Sequence, residues 1–109
     1  MKQIALIAAC FAIGIGSLAA ADAQENWTKH CGSCHGKDGK GQTKAGRLAN
    51  VKDLTDPKYQ ESFTDEQAYR QIKEGMKDKA GKEKMKPFGD QLSDEEIKAI
   101  VAFVRGLKK

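Results

Sequence analysis

Residues 30–36 read His30-Cys31-Gly32-Ser33-Cys34-His35-Gly36, and the rest of the chain is best read outward from them. Two cysteines three positions apart on one helical turn project to the same side. The histidine follows at once, giving C-x-x-C-H, the attachment pattern of c-type haem. Cys31 and Cys34 can add to the two vinyl groups along one porphyrin edge, and His35 then aims its imidazole at the iron. Three other readings fit the same residues less well. A zinc site from His30, Cys31, Cys34 and His35 would need two sequence-adjacent pairs to close around one ion, whereas tetrahedral sites usually draw a second pair from a distant segment. A redox dithiol lacks a βαβ pattern around it. A disulfide across a two-residue spacer is a tight, strained ring. His30 reads as a solvated surface histidine rather than a ligand.

Upstream, Met1-Lys2-Gln3 is a short basic start, and Ile4 to Ala21 is an uncharged run of 18 residues. Small residues follow at Ala19 to Ala21 and at Ala23. This is the three-part pattern of a secretory signal peptide over 1–23, cleaved after Ala23 or alternatively after Ala21. A retained membrane span is disfavoured by Gly14, Gly16 and the alanine-rich end. A lipidated Cys10 is disfavoured because apolar residues continue behind it. The chain has 109 residues, so the remaining domain, 24–109, has 86. Lys2 and Asp22 leave together, and the net charge stays at +4. So small and polar a domain buries little apolar surface of its own and needs a covalent tie or a bound group to stabilise it.

Downstream, Gly36 to Leu54 reads as a long irregular loop, with glycines that permit close backbone approach to a flat group. Four helices are expected. The first spans about Gln24 to Cys34. The second has Asp56 as N-cap and Pro57 at its first position, and ends near Ser62. The third starts at the capping box Thr64 to Gln67, carries Ala68, Tyr69, Ile72 and Met76 at helical spacing, and has Gly75 as its stop. The fourth starts at the box Ser93 to Glu96 and carries the stripe Ile97, Ile100, Val101, Val104, widened by Phe103 and Leu107. No alternating strand pattern is present.

In this order and spacing the chain resembles the class I c-type cytochromes. The resemblance rests on Cys31 to Gly41, on Trp27 four residues before Cys31, on Met85-Lys86-Pro87-Phe88, and on the C-terminal helix with Phe103. It implies an all-α cytochrome c fold, three to five helices wrapped around one covalently bound haem c. It implies thioether links to Cys31 and Cys34 and a proximal ligand at His35. It also implies a single-electron carrier rather than an enzyme. The family usually places a proline twelve residues after the haem histidine, with a carbonyl that accepts from it. Here that position is Arg47; any residue has a carbonyl, so the bond can survive, without the rigidity of the proline. Cytochromes of the c-prime bundle type carry the motif near the C-terminus and are excluded.

Of the two methionines beyond the leader, Met76 falls on a helical rhythm and suits the core. Met85 lies in a loop held by Pro87 and suits distal ligation of the iron. Positive charge concentrates in two segments, +3 over 36–49 and +3 over 73–86. In the family fold these flank the haem edge, where Lys37, Lys40, Lys44, Lys79, Lys82, Lys84 and Lys86 would steer acidic-surfaced redox partners. The expectation is a periplasmic monomer, with no nucleic-acid binding and no stable membrane insertion. Two alternatives stay open: a haem protein with an open sixth site for a small ligand or peroxide, and a dedicated subunit of a periplasmic oxidoreductase.

Overall fold

The computed structural model describes residues 22–109. The expected leader falls almost wholly outside them. Residues 22–26 are helical and continue into a π-helical stretch, Trp27–Cys31, and then into α1, Gly32–His35. The wider turn is closed by the Gly32 N–H on the Trp27 carbonyl, an i to i−5 bond. Such turns are frequent at functional sites, and this one leads straight into the motif. Gly36 ends the segment at φ 82°, a conformation that favours glycine.

The expected loop 36–54 instead contains a helix, α2, Lys44–Ala49. Thr43 caps it by accepting from the Gly46 N–H, and Asn50 closes it in the left-handed region at φ 55°. These caps bound only six residues with no apolar stripe, so periodicity gave no signal. Gly46 faces inward, where any side chain would overlap the carbonyls of Cys34 and Gly41.

The next elements follow expectation closely. Helix α3, Pro57–Glu61, has the Asp56 carboxylate capping the Lys58 N–H. Helix α4, Asp65–Glu74, opens with the reciprocal capping box of Thr64 and Gln67 and stops at Gly75, φ 79°. Met76 is therefore not on α4 and not in the core: it is 39% exposed. It lies instead on β1, Met76–Lys77, which pairs antiparallel with β2, Glu83–Met85. The register sets Met76 opposite Met85 and Lys77 opposite Glu83, leaving Lys84 as the extra residue of a bulge. The connecting turn is organised by Asp78, whose Oδ1 accepts from the N–H groups of Ala80 and Lys82. Strands of two and three residues are too short to show alternation.

Helix α5, Asp94–Gly106, begins with the expected box of Ser93 and Glu96 and buries Ile97, Ile100, Val101 and Val104. With Trp27, Cys31, Leu54, Ile72, Phe88 and Leu92 they form one core. Trp27 and Phe103 meet at 5.3 Å between ring centroids, joining the first helical segment to the last helix. Asn26 donates to Glu96 across the same junction. Ile100 is fully buried, and Ile100→Ala is expected to cost about 2–5 kcal/mol, read from a denaturant titration.

Two polar side chains tie the helices together. Buried Gln60 donates from Nε2 to the carbonyls of both Leu54 and Val104. Arg105 on α5 reaches the Phe63 carbonyl at 2.7 Å, the Gln60 carbonyl and the Asp65 carboxylate, with its guanidinium carbon 4.4 Å from the Phe63 ring centroid. Removing it strands two carbonyls near the core. Arg105→Ala is expected to lose about 2–3 kcal/mol, the scale of charge-assisted hydrogen bonds, seen as a lowered Tm.

Three surface carboxylates are held below their ordinary range by the hydrogen bonds they accept. Asp53 accepts from the Thr55 hydroxyl and N–H, Asp94 from Tyr69 and Lys73, and Glu96 from the Ser93 N–H and Asn26. Their folded pKa values lie below the unfolded ones. The stability they add is therefore complete above the unfolded range, about pH 4, and is lost as pH falls through the folded values. Thermal melts are expected to hold steady near neutrality and to move to lower Tm below about pH 4.

Candidate haem-binding site

The C-x-x-C-H residues lie on the π turn and α1, and the backbone there is fixed from three sides. The Cys34 carbonyl accepts from Thr43 Oγ1 at 2.7 Å. The His35 carbonyl accepts from the Gly41 N–H at 2.8 Å. The Gly36 carbonyl accepts from the Trp27 indole Nε1 at 3.0 Å. These carbonyls belong to the C-terminal end of the helix, where no intrahelical donor remains. Their partners come from the first helical segment and from the loop and cap before α2, so the motif cannot shift without disturbing both.

Cys31 is buried, Cys34 half-buried, and the two are not joined by a disulfide. Burial, with Cys34 adding to it, pushes the Cys31 thiol up to about 11. It is protonated at neutral pH, unlike the low-pKa cysteine of a redox dithiol. Among the described residues, no three His, Cys, Asp or Glu side chains converge as a metal-ion cluster, so the zinc reading finds no support. Burial lowers the pKa of His35, which keeps its imidazole neutral, the form that ligates metals. The His35 ring lies 5.5 Å from that of Trp27, and its buried Nδ1 has no hydrogen-bond partner.

Two expectations about neighbours change here. The Arg47 carbonyl accepts from the Asn50 N–H at 3.3 Å and not from His35. It is drawn into closing α2, a helix the sequence reading did not contain. His30 is half-buried rather than solvated, packed edge-on to Phe88 at 5.7 Å between centroids.

Met85, the proposed distal residue, is half-buried at the end of β2 and packs against the core that contains Cys31. Its loop is sewn to the end of α4. The Phe88 N–H donates to the Ile72 carbonyl at 2.9 Å and the Gly89 N–H to the Lys73 carbonyl at 3.1 Å. Gly75 admits the loop: a Cβ there would sit 2.6 Å from the Met85 carbonyl oxygen and 2.9 Å from the Pro87 nitrogen. Pro87 itself is exposed, so the anchoring comes from Gly75, Phe88 and Gly89. Neither residue 75 nor residue 89 was singled out as part of the site in the sequence. The glycine between a predicted helix and a candidate ligand loop was the available signal. Surface hollows lie between α4 and α5, at Tyr69, Lys98 and Val101, and between α3 and α4, at Phe63, Gln67 and Gln71. Neither is lined by the motif or by Met85.

A first helical segment ending in C-x-x-C-H, crossed by a C-terminal helix through an aromatic pair, with a methionine loop anchored to the helix between, defines a c-type cytochrome. The family model for cytochrome c matches residues 20–108, and the chain belongs to that family, with its all-α fold. Among solved structures, it is similar to the KustC0563 c-type cytochrome, with 36% identity and a TM-score of 0.70 over 80% of this chain and 98% of that one. A point mutant of Kustc0563 aligns with 36% identity and a TM-score of 0.68, over 80% and 99% of the two chains. None of the curated proteins matches.

Family membership implies covalently bound haem c, and the residues present fit it. Two reduced thiols lie one turn apart and a neutral, half-buried imidazole follows them. Leu48 stands 80% exposed on α2, the helix packed against α1, and is available to an apolar cover. Members of the family are typically exported electron carriers. Among the described residues, no helix is long and apolar enough to cross a membrane.

Proposed function

We propose that this cytochrome is an exported, monomeric, single-haem electron carrier, with Cys31 and Cys34 as thioether anchors, His35 as proximal ligand and Met85 as distal ligand. The observation that carries the reading is the common cluster: Cys31 of the motif and Met85 of the anchored loop pack against one core. When bound, the haem supplies reversible one-electron chemistry at a potential raised by a His/Met pair. The chain's part is to hold two ligands still. The carbonyl ties to Trp27, Gly41 and Thr43 fix the helix end that presents His35. The bonds from Phe88 and Gly89 fix the loop that presents Met85. Both ligands are neutral and need no proton to enter or leave. Two fixed protein ligands leave no position for dioxygen or peroxide, which favours a carrier over a ligand-binding or peroxidatic protein.

Lys79, Lys82, Lys84 and Lys86 on the hairpin and its exit are exposed, as are Lys37 and Lys44 near the motif. They support docking to an acidic-surfaced redox partner, with an on-rate that falls as salt rises.

The test is optical. The ferric protein is expected to show a sulfur-to-iron charge-transfer band, and carbon monoxide to leave the ferrous spectrum unchanged. Met76→Leu is expected to keep both properties. Absence of the band together with ready carbon monoxide binding would replace the carrier reading with that of an open-site haem protein. Loss of the band in Met76→Leu would move the distal role from Met85 to Met76.

A further inference from the structure

The hairpin places a second thioether beside the first. Met76 and Met85 are Cα partners in the antiparallel register. Directly opposed residues share a face of the ribbon, with Cβ atoms about 4.5–5.5 Å apart. The next Cα pair is Lys77 and Glu83, with Lys84 the extra residue between the two pairs. Met76 does no packing that requires methionine, being 39% exposed and outside the core. Its sulfur is nevertheless held: Gln71 Nε2 on α4 donates to Met76 Sδ at 3.3 Å. The two sulfurs are chemically equivalent, both neutral, soft and on flexible unbranched stems.

We infer that Met76 is a reserve axial ligand, a second thioether able to take the sixth position when Met85 leaves it, and that the Gln71 amide keeps it aside in the resting arrangement. The inference rests on the sulfur ligation proposed above. The exchange breaks one sulfur–iron coordinate bond and forms another. Both donors are neutral, so no proton and no electron is transferred.

The experiment records the ferric charge-transfer band of the haem-loaded protein in wild type, Met76→Leu, Met85→Ala and the double variant Met76→Leu/Met85→Ala. Circular dichroism and covalently retained haem confirm that each is folded and loaded. Met85→Leu, which conserves volume, replaces Met85→Ala if that variant does not accumulate. The expected pattern is a band in wild type and in Met76→Leu, a shifted and weaker band in the single Met85 variant, and none in the double variant. Adding Gln71→Leu to the Met85 variant is expected to strengthen the remaining band, and no change would overturn the restraining role of Gln71. A Met85 variant that is folded and loaded but has no band overturns the reserve role and leaves Met85 as the ligand. A wild type without the band overturns the sulfur ligation itself and the reserve role with it.

Discussion

Replacing Cys31 and Cys34 together by serine is expected to leave a chain that retains no haem after denaturation and does not fold stably. Cys31 is part of the core, packed among residues from the first helical segment, α4 and α5. Among the described residues the large side chains of that core that are fully buried are few, Ile97 and Ile100. A domain of this size buries too little apolar area to offset the ordering of its backbone by a wide margin. A covalently held macrocycle adds apolar contact that the side chains alone do not supply. Serine at position 31 further places a hydroxyl in an apolar site, which costs about 1–3 kcal/mol when it finds no partner. The measurements are haem content of the denatured protein and far-ultraviolet circular dichroism. A haem-free product with native helicity and a cooperative melt would show that the side chains suffice alone.

Gly75→Ala is expected to have the next largest effect. At φ 79° and ψ −175°, a region essentially reserved for glycine, an alanine is strained by roughly 1–3 kcal/mol. Its Cβ would also press on the Met85 carbonyl oxygen, the Pro87 nitrogen and the Lys86 carbonyl carbon. These are backbone atoms of a loop pinned at Phe88 and Gly89, so they cannot swing aside without breaking bonds to α4. The expected result is a total loss of about 2–4 kcal/mol in a denaturant titration, from strain and overpacking together, with a diminished sulfur band in the ferric spectrum. Gly81→Ala serves as the comparison. It has a similar φ of 83° but nothing within 4 Å of its added Cβ, so it is expected to show the strain without the loss of the band. Equal spectra from the two variants would detach Gly75 from the positioning of Met85.

The elements legible in the sequence were those with chemical end-markers and enough length. Asp56 before Pro57, the box at Thr64 and the box at Ser93 each satisfy orphan N–H groups with side chains that can be read directly, and all three appear as expected. Helix α5 is thirteen residues long, enough for its stripe to declare its period. What stayed hidden depends on contacts distant in sequence or on short pieces. Helix α2 exists because Gly46 lets it lie on the Cys34 carbonyl, and no local pattern announces that. The hairpin depends on Asp78 gathering two N–H groups and on Gly75 turning the chain out of α4 one residue before the apolar rhythm would place Met76. The motif residues Cys31, Cys34 and His35 were legible because their chemistry is compressed into five positions. The atoms that hold the motif, Trp27 Nε1, the Gly41 N–H and Thr43 Oγ1, were not, because each acts on a carbonyl that every residue possesses.

The crossing of Trp27 with Phe103 also sets an order of events in the life of the chain. The Asn26 to Glu96 bond at the same crossing spans 70 positions, so the face carrying Cys31 is covered only once the last helix has been made and brought home. Contacts of such long sequence separation form late, because the intervening loop must close first. A newly made chain therefore presents its two thiols early, on a nascent helix with no lid. The interval before α5 arrives is the time in which those thiols stand open to chemistry.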